Sequence, residues 1–566
     1  MTVDLILRGG RIVDGSGLPA FTGDVAIDGG KIVEIGSVGG PARREIDCDG
    51  LAVAPGFIDP HTHLDAQMLW DPLATSSCYH GVTTVVMGNC SLSLHPCKPA
   101  DHSALIGAFA RVEAIPRGAL EAAIDWSWET TGQYLDRLER PGLGVNVAAL
   151  VGHTALRQYV MGEAATERAA TEDEIERMRQ TLRRCMLEGA AGFSSNQNRN
   201  HIRDDRKPLP SRLATEEELL ALAAVLKEIN RGVIQMTRGL LDTEPEGQAV
   251  VLQRHKRMAL ASGRPMTFNA LFHRWARPDA WKEALALSGE IAAEGVPLYG
   301  LGHAQMMEQR FTLKNAQLFD GMPAWDAVFA LPVEQRAARL GDPATRAALQ
   351  ADIDDPATKL FSKRWDTVLF VGAKRPEHRP LEELTILDIA QRLGKRPLDA
   401  FLDLALEEDL GAEFSTNITN GDPAAAAEIL RQPYVLIGAS DAGAHVLFDA
   451  GNGYCTNLLG FWVRERHVMS LEQAVSRLTL QPARFFGFTD RGLLWPGMAA
   501  DIAVFDPTTV RPLRPVRVSD YPDNQTRWVQ PAEGVPYTIV NGRVLIDQGV
   551  ATEERGGRAL RPGVSR

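Results

Sequence analysis

The chain has 566 residues, of which 45% are hydrophobic and 23% are charged, and its formal net charge is −12 at pH 7. This length exceeds one small domain and allows a barrel of about 250 residues with additions. The negative charge argues against nucleic acid or an anionic membrane as a partner, and no apolar stretch approaches the length of a membrane span.

The two ends of the chain carry short apolar runs that are broken by glycine-containing turns. Residues 1–55 contain VDLILRGGRIVDG and GDVAIDGGKIVEIG, and residues 491–566 contain ADIAVFDP and YTIVNGRVLIDQG. Gly-Gly and Asn-Gly between such runs indicate β-hairpins, so we expect both ends to form one small β-domain. The N-terminus shows no signal peptide, and six cysteines without a CxxC spacing indicate free thiols, so we expect a cytoplasmic protein.

Residues 56–490 alternate candidate strands with helix-like stretches such as EDEIERMRQTLRRCMLEG and TEEELLALAAVLKEINRG. The helices end in Gly, which favours a left-handed C-cap. Strands joined by helical crossovers predict an α/β fold, a parallel (β/α)8 barrel of the TIM type. Residues about 310–430 are charged and helix-like, and we expect a helical insertion there. The candidate strands are GFIDPHTH, GVTTVVMGN, GVNVAALVGH, GAAGFSSN, GVIQMT, PMTFNALF, VPLYGLGH and YVLIGASDAG.

Polar residues recur at the carboxyl ends of these strands, which form the active face of such a barrel. His61 and His63 follow the first strand in GFIDPHTHLD, and alternation along a strand puts both imidazoles on one face. Such a pair is typical of a divalent-metal site; the alternative is two histidines that only form hydrogen bonds at a strand end. The other strand ends supply Asn89, Cys90, His153, Gln235, Arg238, Asn269, His273, His303, Asp441 and His445.

Segments spread over nearly the whole chain resemble the amidohydrolase superfamily, and within it the N-acyl-D-amino-acid deacylase (D-aminoacylase) branch. The segments are PGFIDPHTHLDAQ, HGVTTVVMGNC, LVGHTALR, GAAGFSS, IGASDAGAH and QPARFFGFTDRGLLWPGMAADIAVFDP. The resemblance implies a distorted (β/α)8 barrel, a composite β-sandwich from both termini, and metal-assisted amide hydrolysis. It also implies that His61 and His63 are metal ligands. Cys90 matches a cysteine that bridges or ligates zinc, although a small buried thiol is the alternative, and Asp441 matches an aspartate that touches the metal and serves as general base.

Two strands depart from the family pattern, which places a metal-binding histidine on the fifth strand and another on the sixth. Here the matching positions hold Met236 and either Asn269 or Ala270. Amide oxygens are weaker zinc ligands than imidazole, so we expect about one tightly bound Zn²⁺ per chain, with a second site disfavoured.

The expected reaction is hydrolysis of a linear amide, an N-acyl amino acid in the first place and an N-acyl-D-amino acid in particular. Zinc can bring the pKa of bound water to about 7, and Asp441 would take the proton and pass it to the leaving amine. Arg238 is expected to bind a substrate carboxylate. Further substrate contacts are expected from His153, Asn89, Asn269 and His273.

Other functions remain open from the sequence. One alternative is an amidohydrolase that acts on a cyclic amide, a lactone or a larger xenobiotic amide. A different class of function is a barrel that has lost catalysis and serves as a binding subunit. We expect a small-molecule substrate and a homo-oligomer.

Overall fold

The chain groups into two compact units. The first comprises Met1–Leu271, Lys282–Gln305 and Ala427–Arg566, and the second comprises Phe272–Trp281 and Met306–Ala426. This computed structural model describes residues 2–237, 247–314, 316–319, 321–355, 361–445 and 451–563. No helix within those ranges is long and apolar enough to cross a bilayer.

The two ends of the chain share one nine-stranded sheet in the first unit. They meet where Ala52–Pro55 pairs antiparallel with Ile502–Phe505. Side chains on one face, such as Leu7 and Val504, fill a common core. The joint β-domain predicted from the hairpin patterns at the two ends is confirmed. The strands are Val3–Ile12, Phe21–Asp28, Lys31–Gly36, Ala42–Asp47, Ala52–Pro55, Ile502–Phe505, Tyr537–Val540, Arg543–Asp547 and Val550–Ala551.

Eight strands form a second sheet in which each strand pairs in parallel with the next one of the set. Thr62, after the first strand, forms a parallel bridge with Ala442, after the eighth, so the two edges of the sheet meet beyond their carboxyl ends. The predicted distorted (β/α)8 barrel is confirmed. Its strands are Phe57–Asp59, Val82–Met87, Asn146–Gly152, Gly192–Asn196, Val233–Thr237, Met266–Leu271, Leu298–Gly302 and Val435–Ile437.

Helices lie between and after these strands, and their ends follow local sequence signals. The hydroxyl of Thr171 accepts a hydrogen bond from the backbone N–H of Glu174 and caps Glu172–Leu187. Helix Glu216–Ile229 ends at Asn230 with φ 51°, where the sequence predicted a glycine cap; Asn is among the few other residues that tolerate this region. The helices are His102–Val112, Arg117–Ala123, Thr131–Glu139, His153–Met161, Glu172–Leu187, Glu216–Ile229, Gln248–Ser262, Ala280–Ala293, Pro423–Arg431, Tyr454–Asn457, Leu471–Leu478 and Leu480–Phe486, with the π-helix Leu458–Glu465.

Two antiparallel strand pairs follow the barrel along the chain. Arg511–Pro512 pairs with Ala532–Glu533, and Val516–Tyr521 pairs with Gln525–Val529. The second pair is a hairpin, and it carries Arg527.

The second unit contains helices and a small sheet. Its three strands, Met307–Phe311, Val368–Gly372 and Glu413–Thr419, pair antiparallel around the last of them. The sequence predicted only helices here, because no hairpin turn links these strands: they pair across long stretches of chain. An aromatic core with Phe319 stacked on Trp325 at 3.9 Å holds the unit together. Its helices are Pro323–Phe329, Val333–Gly341, Pro343–Asp354, Ile386–Leu393 and Pro397–Glu407.

Candidate metal centre

His61 and His63 lie just beyond the first barrel strand, and both are buried. The hydroxyl of Thr62 between them donates to the carbonyl of Val86 at 2.9 Å, which turns Thr62 toward the second strand. The two imidazole rings have centroids 5.4 Å apart. The local alternation of side chains therefore sets the two imidazoles side by side.

Cys90 joins the two histidines to form a group of three metal-binding donors. One donor atom from each of these residues lies within 4.8 Å of the others, and all three residues are buried. The Sγ of Cys90 is 3.4 Å from Nε2 of His61. Cys90 has φ 54°, an uncommon region for a residue other than glycine that recurs at functional sites. Two imidazoles and a thiolate are donors that suit zinc.

Asp441 follows the eighth strand and faces the same histidines. Its Oδ1 is 3.2 Å from Nε2 of His61 and 3.9 Å from Nε2 of His63. Burial acts to raise the pKa of Asp441, but the hydrogen bond from His61 and the electrostatic attraction of that ring hold it below its ordinary range. Asp441 is therefore an ionised carboxylate at neutral pH, directed at the Nε2 side of both rings.

The loop that carries Asp441 is held against the first strand by backbone contacts. The N–H of His63 donates to the carbonyl of Ala442 at 2.7 Å. Gly443 has φ 87°, and a Cβ on this residue would lie 2.7 Å from the carbonyl oxygen of His63. Only glycine permits this close approach, which fixes the position of Asp441 over the imidazole pair.

The charges of the cluster favour a bound cation. Burial lowers the pKa of His63 to about 3, so its imidazole is neutral, which is the form that binds metal. Burial, with the charges of Glu113 and Asp441, raises the pKa of the Cys90 thiol. Burial also raises the pKa of Glu113, helped by Asp441 and Asp65. A divalent cation would offset this concentration of buried acids, so the residues present fit a zinc-type ion.

The fifth and sixth strands bring amides rather than imidazoles to Cys90. The Oε1 of Gln235 accepts from the backbone N–H of Cys90 at 2.8 Å, and the Nδ2 of Asn269 lies 3.7 Å from its Sγ. The Oδ1 of Asn269 accepts from Gln235 at 2.6 Å and from the hydroxyl of Thr237 at 3.0 Å. Met236 is fully buried, and the alternation of the strand gives the face beside Cys90 to Gln235 and Thr237, which corrects the assignment of Met236 to that face.

Two other residues expected to contact substrate lie in hydrogen-bond networks. The Nδ2 of Asn89 donates to the carbonyls of Thr62 and Val86 at 3.2 and 2.9 Å, and so ties the second strand to the first. His153 is fully buried, with Nδ1 bonded to the Ser195 hydroxyl and Nε2 to Glu218 at 2.8 Å. Because both of its ring nitrogens are engaged, His153 has no free nitrogen to offer a substrate.

The remaining two predicted substrate contacts are Arg238 and His273. Arg238 falls outside the described residues. His273 belongs to the second unit, where its N–H donates to Oδ1 of Asn420 at 3.2 Å and its ring meets that of Trp275 edge-on at 4.7 Å.

Two residues near the cluster were not predicted from the sequence. Glu113 follows helix His102–Val112, and its Oε1 is 3.5 Å from Nδ1 of His63. Arg527 lines a small cavity with Asp441, and its guanidinium pairs with Asp71 at 3.0 Å and Asp520 at 2.8 Å. Neither residue follows a barrel strand or stands in a recognisable motif, so only the folded chain reveals its position.

The fold and this donor cluster define a metal-dependent hydrolase of the (β/α)8 type. A family model described as "Amidohydrolase family" matches residues 44–546. The chain belongs to the amidohydrolase family, and it is a hydrolase that acts on carbon–nitrogen bonds other than peptide bonds.

Curated relatives of this chain include two deacylases from Alcaligenes xylosoxydans xylosoxydans. An N-acyl-D-aspartate deacylase is 28% identical over 566 residues, which cover 99% of this chain and 95% of the relative. A D-aminoacylase is also 28% identical, covering 98% of this chain and 97% of the relative. The predicted resemblance to N-acyl-D-amino-acid deacylases is confirmed.

Solved structures show the same relationship. The N-acyl-D-glutamate deacylase of Bordetella bronchiseptica, in complex with zinc and a phosphonate inhibitor that mimics the tetrahedral intermediate, has a TM-score of 0.66 and 27% identity, covering 99% of this chain and 100% of that one. A D-aminoacylase, described as having a binuclear metal centre with one-metal activation and second-metal attenuation, has a TM-score of 0.66 and 26% identity over 99% of each chain.

Proposed function

We propose that this enzyme hydrolyses the linear amide of N-acyl amino acids, and of N-acyl-D-amino acids in particular, to a carboxylate and an amine. The observation that carries the proposal is that Cys90 Sγ and Asp441 Oδ1 both lie within 3.4 Å of Nε2 of His61, beside His63. The deacylase relatives, which align with almost the whole chain, support this substrate class.

The chemistry divides between a metal and this chain's own residues. A zinc ion at the cluster would supply Lewis acidity for the amide carbonyl and lower the pKa of water. Asp441, ionised at neutral pH, is placed to accept a proton from the attacking water as its oxygen bonds to the carbonyl carbon. The same carboxyl group then delivers that proton to the amine nitrogen as the carbon–nitrogen bond breaks.

We further propose one tightly held zinc ion, with His61, His63 and Cys90 as its protein ligands. Gln235 and Asn269 use their amide groups on each other and on Cys90, at 2.6 and 2.8 Å. An amide oxygen that already accepts a hydrogen bond is a poor zinc ligand, so Gln235 and Asn269 do not favour a second tightly bound ion.

The side-chain amides of Gln235 and Asn269 also support a second candidate substrate, a cyclic or larger amide. Gln235 and Asn269 present hydrogen-bonding groups beside Cys90 where the family pattern has imidazoles, and such groups suit a substrate with additional amide or carbonyl functions. This candidate keeps the same ligands and the same base and changes only what the pocket recognises.

Substrate profiling with matched enantiomers tests the proposal. The zinc-loaded enzyme is assayed with the D and L forms of N-acetyl-aspartate, N-acetyl-glutamate and N-acetyl-methionine, and with a hydantoin and a dihydropyrimidine as cyclic amides. The expected result is hydrolysis of at least one linear substrate with preference for D. Turnover of the cyclic amides alone would favour the second candidate, and a protein that holds no zinc and is not activated by it would favour a non-catalytic barrel.

A further inference from the structure

The side chain of Glu113 is a buried carboxylate directed at a candidate metal ligand. It is only 3% exposed, and its Oε1 lies 3.5 Å from Nδ1 of His63. Among the described residues, neither of these two atoms has a hydrogen-bond partner. A buried carboxyl oxygen without a hydrogen bond is unfavourable by itself, so its presence calls for a function.

Glu113 also contacts the loop that carries the candidate base. Its carbonyl oxygen accepts from the backbone N–H of His445 at 2.6 Å, and its Oε2 lies 3.9 Å from Nε2 of that histidine. Asp441 and His445 both have positive φ, 49° and 53°, in the region that residues other than glycine rarely adopt. Glu113, at the end of helix His102–Val112, thus contacts both His63 and the loop that carries Asp441.

The two nitrogens of the His63 ring face different partners. Nε2 faces Asp441 at 3.9 Å, and Nδ1 faces Glu113 at 3.5 Å. When Nε2 binds a metal, the proton of the neutral ring must sit on Nδ1. A carboxylate that accepts this proton fixes the tautomer, orients the ring and makes Nε2 a better donor.

We propose that Glu113 is a positioning residue whose carboxylate accepts the Nδ1–H of His63 when the cluster holds its metal. The inference rests on the proposed metal centre and adds a residue that acts through a ligand. The same carboxylate and its backbone carbonyl hold His63 and the Asp441–His445 loop in a fixed relative position. Glu113 contributes to metal affinity without touching the metal.

The test compares Glu113→Gln with Glu121→Gln as a matched control. Glu121 lies on helix Arg117–Ala123, where its side chain is 52% exposed and pairs with Arg117 of the same helix. Zinc affinity is measured by competition with a chelator. We expect Glu113→Gln to weaken zinc binding by about 10- to 100-fold, the usual effect of losing the partner of a ligand histidine. Glu121→Gln should bind zinc like the wild type.

Two further measurements separate positioning from a general structural role. A structural role predicts that Glu113→Gln lowers the unfolding temperature of the metal-free protein, whereas positioning predicts an equal or higher one, because glutamine keeps the size of the side chain and removes a buried acid. In the zinc-loaded wild type, the ¹⁵N spectrum of labelled histidines should show His63 protonated at Nδ1 in a strong hydrogen bond that the variant loses. Glu113→Asp, which keeps the charge on a shorter side chain, should recover part of the affinity.

The outcomes are distinct for the two proposals. If the wild type binds zinc and both Glu113 variants bind it equally tightly, the inference about Glu113 is wrong and the metal centre stands. If the wild type binds no zinc, the metal centre fails and the inference fails with it. If Glu113→Gln does not fold, the affinity and spectrum of Glu113→Asp decide.

Discussion

Replacement of Asp441 by Asn removes the proposed base while preserving the shape of the side chain. An asparagine can still place an oxygen near Nε2 of His61, where Oδ1 of Asp441 now lies at 3.2 Å, but it cannot accept the proton of water. General acid–base catalysis contributes about 10²- to 10⁴-fold, which corresponds to about 3 to 5 kcal/mol of activation free energy. We therefore expect kcat to fall by at least about 100-fold.

Zinc should remain bound to Asp441→Asn, because the proposed ligands His61, His63 and Cys90 are unchanged. Turnover is measured on the best N-acyl amino acid, alongside the zinc content of the same preparation. Asp490→Asn is the control: its side chain is 62% exposed and is not part of the cluster, so its turnover should match the wild type. An Asp441→Asn enzyme that holds zinc and keeps kcat within about fivefold of the wild type would refute the role of Asp441 as the base.

Cys90→Ser removes a proposed ligand, so zinc affinity should fall by more than about 100-fold, because loss of a mere hydrogen-bond partner of a ligand already costs up to about 100-fold. The control Cys185→Ser should leave zinc affinity unchanged. Equal zinc affinities of Cys90→Ser and the wild type would exclude Cys90 as a ligand. Removal of zinc with a chelator should lower the unfolding temperature and zinc should restore it, since an ion that binds only the folded state stabilises it; an unchanged temperature would contradict a tight site. Burial lowers the pKa of His80 to about 4 from an ordinary value near 6.5, so between these two pH values the unfolded state binds more protons than the folded state. The free energy of unfolding should therefore fall by about 2 kcal/mol between pH 7.5 and pH 5. Urea unfolding of metal-free His80→Gln should show a correspondingly weaker pH dependence, and a pH dependence equal to that of the wild type would contradict the lowered pKa of His80.

Sequence patterns predicted the elements whose signals are local. The strands of the barrel are short apolar runs, and their polar ends could be read directly, which placed His61, His63 and Asp441 at one edge. The eight segments predicted as strands all contain one. The joint sheet of the two termini was also predicted, because both ends repeat the same hairpin signal.

Features that depend on distant parts of the chain were not predicted. Glu113 ends a helix in ARVEAIP, a stretch without a motif, and only the closed barrel brings it to His63. His153 stands at a strand end like the other site residues, yet its nitrogens pair with Ser195 and Glu218, which are 42 and 65 positions away. The three strands of the second unit pair across about 40 to 110 positions. Local patterns carry no information about such contacts.

The placement of Gln235 shows a limit of motif alignment. Matching to the family pattern pointed to Met236, but the strand alternates, and Met236 faces the core while Gln235 reaches Cys90. A shift by one residue along a strand reverses which side chain faces the site, so the register had to come from the paired strands.

We propose that His61, His63 and Cys90 hold one metal ion beside the base Asp441. X-ray absorption at the zinc edge of the purified, zinc-loaded enzyme tests it most directly. We predict one zinc per chain with a sulfur ligand at about 2.3 Å and imidazole nitrogens at about 2.0 to 2.1 Å, and loss of this signal in His61→Ala. Zinc bound without sulfur or imidazole, or zinc retained unchanged in His61→Ala, would contradict it.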